Sequence, residues 1–113
     1  MEALIIVVIA VLFLVWRMKP AKGVRSISAH QLKQELNDSN KVYIDVRTPA
    51  EFKARSIKQF KNIPLGSDLS KLPKDKEIVV ICQSGMRSAQ ACKQLKKLGY
   101  EKVTNVRGGI GSY

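Results

Sequence analysis

The chain has 113 residues, enough for one domain with one modest core. Twenty Lys and Arg against nine Asp and Glu give a net charge of +11 and a pI near 10.0, a balance suited to anionic substrates, anionic lipid or nucleic acid. Nucleic acid is disfavoured, because aromatics make up 6% of the residues and the lysines are scattered along turns and helix faces, with no stacking platform beside them.

Ala3 to Trp16 contains no polar side chain. As a helix it reaches roughly 21 Å at ~1.5 Å per residue, slightly short of the ~30 Å hydrocarbon core, and Met1, Met18 and the interfacial Trp16, Arg17 and Lys19 extend it. A secretory signal would start with cations and end in small residues, whereas this run starts Met1-Glu2 and lacks an A-x-A site. The expectation is a single membrane anchor over residues 1–19, with residues 3–16 in lipid. Arg17, Lys19, Lys22 and Arg25 follow the apolar run and no basic residue precedes it, so the positive-inside rule places the rest of the chain in the cytoplasm. Two cysteines in a reducing compartment are expected to be free thiols.

A basic linker over 20–25 leads to a domain over 26–113. Ser28 and Gln31 stand at capping-box spacing before Leu32 and Leu36, so the pattern predicts a helix from Ala29 to Leu36, broken by Asn37-Asp38-Ser39-Asn40. Val42 to Val46 reads as a buried strand. Thr48, Pro49 and Glu51 supply an N-cap, an N1 proline and an N3 acid for the next helix. Phe60 to Ile63 is a short strand stopped by Pro64, and Leu65 to Lys76 is a turn-rich connector with Leu69 and Leu72 turned inward. Ile78 to Ile81 is the most hydrophobic strand. Ser88 to Leu98 carries Ala91, Cys92, Leu95 and Leu98 on one helical face, and Lys102 to Val106 is a weak last strand. Strands alternating with helices imply an α/β fold with a parallel sheet covered on both faces.

Cys82 ends the Glu77–Ile81 run and opens Cys82-Gln83-Ser84-Gly85-Met86-Arg87 before a helix. Backbone N–H groups converge at such a turn and the helix dipole favours negative charge, a setting that lowers a thiol pKa. Arg87 places a permanent cation beside it, with a planar fork suited to a tetrahedral oxyanion. Ligands of such sheets bind outside the carboxyl ends of the strands, where Asp45 and Arg47 also lie. Asp45 and Arg47 equally suit a plain turn-forming, helix-starting role. His30, the only histidine, sits in the first helix without a Cys or a second His at metal spacing, so neither zinc nor a Cys–His acyl-transfer site is supported. Cys92 lies about 9 Å along its helix from the turn, too far for an unstrained disulfide to Cys82.

Tyr43-Ile44-Asp45-Val46-Arg47-Thr48-Pro49-Ala50-Glu51-Phe52, Asn62-Ile63-Pro64-Leu65, Ile81 to Ser88, Leu98-Gly99-Tyr100 and Gly108-Gly109-Ile110 resemble the motifs of a single-domain rhodanese over about Ile27 to Tyr113. The resemblance implies a rhodanese-like, five-stranded parallel sheet flanked by helices on both faces. It implies a sulfurtransferase in which Cys82 carries a persulfide, moving sulfur from thiosulfate or a persulfide donor to a thiol, cyanide or a protein cysteine, with the loop Gln83–Arg87 holding the anion and no metal or organic cofactor required. Two alternatives stand beside it: a non-catalytic module tethering partners at a membrane, and a small phosphatase or arsenate reductase using the same loop. An intact Cys82 and Arg87 argue against the first. The six-residue loop argues against the second, since related phosphatases have one residue more. The chain departs from the family at Arg55-Ser56-Ile57-Lys58-Gln59, where Gly-His-Ile-Pro-Gly is common, and at Tyr113, where a Trp and a longer final helix are usual. The covering of one sheet face is therefore in question.

Overall fold

The computed structural model describes residues 2–18 and 23–113, with side chains 15–18 outside the description. Met1 and Lys19 of the expected anchor and residues 20–22 of the expected linker lie outside the described residues, as do the side chains of Val15, Trp16, Arg17 and Met18.

The elements run α1 (Glu2–Met18), β1 (Val24–Ile27), α2 (Ala29–Glu35), β2 (Lys41–Asp45), α3 (Pro49–Ala54), β3 (Lys61–Asn62), β4 (Glu77–Ile81), α4 (Met86–Lys97), β5 (Val103–Val106) and α5 (Gly109–Ser112). The strands form one sheet in the order β1-β5-β4-β2-β3, every pair parallel. β4 stands in the middle, so Ile78 to Ile81 are buried on both faces, which is why the run is continuously apolar.

β1 has no counterpart in the sequence patterns. Val-Arg-Ser-Ile shows only one buried side chain, Ile27, and becomes a strand by pairing with β5 in the register Val24↔Val103 to Ile27↔Val106. α2 begins where expected, with Ser28 Oγ accepting from the Gln31 N–H at 3.1 Å. The capping box at α3 is complete: Thr48 Oγ1 accepts from the Glu51 N–H and Glu51 Oε1 from the Thr48 N–H. α4 starts at Met86, two residues before the expected Ser88, because Gly85 adopts φ +104° and turns the chain directly into the helix. β3 keeps only two of its expected residues. Phe60 packs into the core instead, edge-on to Tyr43.

Two cores flank the sheet. On one face α4 contributes Ala91, Cys92 and Leu95 against Ile44, Ile78, Val80 and Val103, joined by Leu69 and Tyr100. The Tyr100 hydroxyl donates toward the Leu69 and Leu72 carbonyls, pinning the long connector with both leucines inward. On the other face Leu32, Ile57, Phe60 and Ile110 cover Tyr43, Val79, Ile81 and Val106, with Phe52 and Tyr113 packed at the margin. The face whose covering the sequence left in question is therefore covered, in part by Ile57 from the departing Arg55–Gln59 segment.

The expected transmembrane span is not met. Among the described residues no helix is long and apolar enough to cross a membrane. α1 has 17 residues, a rise of about 26 Å at ~1.5 Å per residue, against a hydrocarbon core of ~30 Å. Its side chains from Leu4 to Leu12 are exposed on all faces.

Candidate active site

The carboxyl ends of β4 and β2 bring Cys82, Asp45 and Arg47 to one rim of the sheet. Cys82 follows the buried β4, and its residue is 0% exposed. Its chain then turns through Gln83, Ser84 and Gly85, so that the Gly85 N–H lies 3.0 Å from the Cys82 sulfur. Burial pushes the thiol up. Donation by the Ser88 hydroxyl and by the amides of Ser88, Gly85 and Ser84 outweighs it, and the net pKa falls below the ordinary cysteine value. Cys92 sits in the core of the same face with burial as its main influence, and its thiol is pushed up to about 12. The surroundings thus favour the thiolate at Cys82 and disfavour it at Cys92.

The turn is held from behind by the C-terminal segment. The Ile110 N–H donates to the Cys82 carbonyl at 2.9 Å and the Gly111 N–H to the Gln83 carbonyl at 3.0 Å. A Cβ on Gly109, whose φ is +55°, would overlap the Cys82 carbonyl oxygen, so only glycine allows this approach.

Ser88 and Asn105 were not singled out in the sequence. The Ser88 hydroxyl is 2.5 Å from Asn105 Oδ1 and 3.1 Å from the Gly85 carbonyl, and Asn105 Nδ2 reaches that same carbonyl at 3.4 Å. Asn105 on β5 thus touches both groups, Ser88 and Gly85, that donate to the sulfur. A Ser one residue after the loop Arg was visible in the sequence. The pairing of Asn105 with it, across 17 positions, was not.

Arg87 does not lie free over the thiol. Its two terminal nitrogens bind Glu51 of α3 at 2.7 and 2.9 Å. The guanidinium, helped by the Thr48 N–H, holds the Glu51 carboxyl down to about 2. The cation is oriented by this bidentate pair, so α3 fixes the side of the loop that Arg87 occupies.

Asp45 and Arg47 form a buried pair, Arg47 being 2% exposed, with Nε 3.0 Å from both carboxylate oxygens and Nη2 2.8 Å from Oδ2. Arg47 also donates to the Arg55 carbonyl at 2.5 Å and toward Gln83 Oε1 at 3.4 Å. Asp45 therefore holds Arg47, and the pair braces the Cys82 loop and the Arg55 turn from inside. Gln83, Ser84 and Met86 face outward, and Met86 is 80% exposed. His30 lies on an exposed helix face beside Gln34. Among the described residues no group of three His, Cys, Asp or Glu side chains is placed to hold a metal ion.

The family model for the rhodanese-like domain matches residues 28–113. The chain belongs to the rhodanese family. It is 41% identical over 91 residues to a protein named sulfurtransferase from Allochromatium vinosum, covering 77% of this chain and 85% of that one. It is 40% identical over 91 residues to the putative sulfurtransferase YtwF of Bacillus subtilis, covering 77% and 87%. Among solved structures, a rhodanese-like domain protein from Staphylococcus aureus superposes with a TM-score of 0.70 at 32% identity, over 78% of this chain and 89% of that one. This rhodanese therefore matches each of these three proteins over 85% or more of that protein's length, and α1 lies outside the residues that the family model matches.

Proposed function

We propose that this rhodanese is a sulfurtransferase working through a persulfide on Cys82. The Cys82 thiolate attacks the outer sulfur of thiosulfate, the S–S bond breaks, and sulfite leaves with the bonding electron pair. The product, Cys82–S–S⁻, carries its charge into the ring of N–H groups running from Ser84 to Ser88. An acceptor thiolate or cyanide then attacks the outer sulfur, and Cys82 departs as thiolate. No general acid is needed, because sulfite leaves as a stable anion, and the lowered Cys82 pKa eases formation of the thiolate. The observation that carries the reading is the 3.0 Å contact of the Gly85 N–H with a sulfur whose pKa is lowered by amides and a hydroxyl. Sulfurtransferase names among relatives that match over most of their length support it.

Intact-mass analysis after thiosulfate treatment tests it. One sulfur atom should be added and then removed by cyanide. Cys82→Ser should abolish the adduct while Cys92→Ser retains it. An adduct that persists in Cys82→Ser protein would overturn the assignment.

The same proposal includes an anchor at the cytoplasmic side of a membrane. α1 exposes apolar side chains from Leu4 to Leu14 on every face, and Arg17 near its end is followed in sequence by Lys19, Lys22 and Arg25, a set that suits seating in lipid with the cations at anionic headgroups.

A further inference from the structure

α4 carries a surface that the chemistry at Cys82 does not use. Met86, Gln90, Lys93 and Lys97 recur at helical spacing along its outward side. Beside them, the turn at Leu65 and Gly66 closes a groove of about 410 Å³ lined by Leu65, Gly66, Gln90, Lys93, Gln94 and Lys97. This groove does not contain Cys82. It opens one helical turn beyond Met86, and Met86 opens the helix at the end of the Cys82 turn.

Three features distinguish it from an ordinary solvated helix face. Outside α1, Met86 is the one large hydrophobic side chain exposed among the described residues, and it stands at the mouth of the Cys82 loop. No acidic residue occurs anywhere in α4, and none lines the groove. Lys93 and Lys97 also have no carboxylate within ion-pair distance among the described residues. The chain's described ion pairs are made instead by Arg25, Lys41, Arg47 and Arg87. Lys97, in the last turn, also complements the helix dipole, but Lys93 lies a turn earlier, where that effect has faded.

We propose that this groove is the docking track for an extended acidic segment of a protein thiol acceptor. The acceptor's cysteine passes over Met86 to Cys82 while its carboxylates pair with Lys93 and Lys97. The acceptor assignment rests on the sulfur-transfer reading above. The geometry sets the spacing of the partner. From Met86 the helix rises about 10 Å to Lys93 and about 16 Å to Lys97 at ~1.5 Å per residue. An extended chain covers ~3.3 Å per residue, so the carboxylates belong about three to five residues from the residue at Met86. Gln90 and Gln94 offer amides to the backbone of such a segment. The transfer step balances without an outside oxidant: the acceptor thiol loses its proton to solvent, its thiolate bonds to the outer sulfur of Cys82–S–S⁻, and Cys82 leaves with the electron pair of the broken S–S bond.

The test uses the full chain loaded by thiosulfate and three synthetic peptides, each with one cysteine followed three to five residues later by Glu, Gln or Lys. The Glu peptide should take sulfur on the order of tenfold faster than the Gln peptide at low salt, with the advantage fading as ionic strength rises. The double variant Lys93→Glu, Lys97→Glu should reverse the preference toward the Lys peptide while its transfer to cyanide stays at the wild-type rate. Binding of a Cys→Ser version of the Glu peptide, read by fluorescence anisotropy, should weaken at least tenfold in the same variant. Equal rates for all three peptides, or an acid preference that survives the double variant, would overturn the docking track. Failure of thiosulfate to load Cys82, with the serine peptide still held through Lys93 and Lys97, would instead remove the sulfur-transfer reading and the acceptor assignment with it.

Discussion

The single proton of the Ser88 hydroxyl is shared between the Gly85 carbonyl and Asn105 Oδ1, and donation from the same hydroxyl helps to lower the Cys82 thiol. A thiolate is a stronger acceptor than either oxygen, so ionisation of Cys82 should draw the proton to sulfur and away from Asn105 Oδ1, while Asn105 Nδ2 keeps its hold on the Gly85 carbonyl. Removing a hydrogen bond to a charged group costs about 1.5–3 kcal/mol, equivalent to roughly one to two pH units. Ser88→Ala should therefore move the midpoint of Cys82 alkylation by iodoacetamide upward by about that amount, and Asn105→Ala by a smaller amount in the same direction. Because the thiol is lowered in the folded protein, sulfur transfer should be lost as pH falls through the Cys82 midpoint, and each variant should carry that limb to higher pH. Glu51, held at about 2, stays ionised throughout this range and does not contribute to the limb. An unchanged alkylation profile in both variants would show that the amides alone set the thiolate.

α5 has only four residues, yet its amides hold two carbonyls of the catalytic turn. Its value lies in how closely the backbone at Gly109 approaches Cys82. Gly109→Ala must displace either the turn or the C-terminal segment, and the left-handed backbone adds strain of order 1–3 kcal/mol. The expected outcome is a fall of at least that size in denaturant-derived stability, together with a larger fractional loss of sulfur transfer than the stability change explains. Gly66 is the control element: its φ is +96°, but a Cβ there meets nothing within 4 Å. Gly66→Ala should show backbone strain without the loss at Cys82.

At the scale of the whole molecule, the parts separate by what they bury. The part of the chain from β1 onward buries its apolar residues on the two faces of its own sheet, whereas α1 exposes Leu4 to Leu12. Burial of that surface in lipid is not screened by salt, so the full chain should remain with membranes through a high-salt wash and be released by detergent. Removing residues 1–19 should yield protein that stays in the supernatant with undiminished sulfur transfer, since every group around Cys82 lies beyond that segment. Release by salt alone would mean that Arg17, Lys19, Lys22 and Arg25 hold the chain to lipid electrostatically.

Local chemistry made much of this protein legible in its sequence. Thr48, Pro49 and Glu51 dictate a helix start among themselves, and the apolar run before Cys82 followed by a Gly-containing turn announces a thiol at the end of a central strand. What the sequence did not disclose depends on partners distant along the chain. Val24–Ile27 becomes a strand only because β5 offers an edge, and Arg87 meets Glu51 across 36 positions. The burial of Asp45 with Arg47, which makes the pair an internal brace, needed the Arg55 turn and Gln83 to close over it. Over the described residues α1 runs from Glu2 to Met18, and no described helix is long and apolar enough to cross a membrane. The residue types that carry charge and sulfur were thus set by the sequence, while the direction each one points was decided by long-range packing, because a hydrogen bond needs its partner in place and no local pattern encodes that.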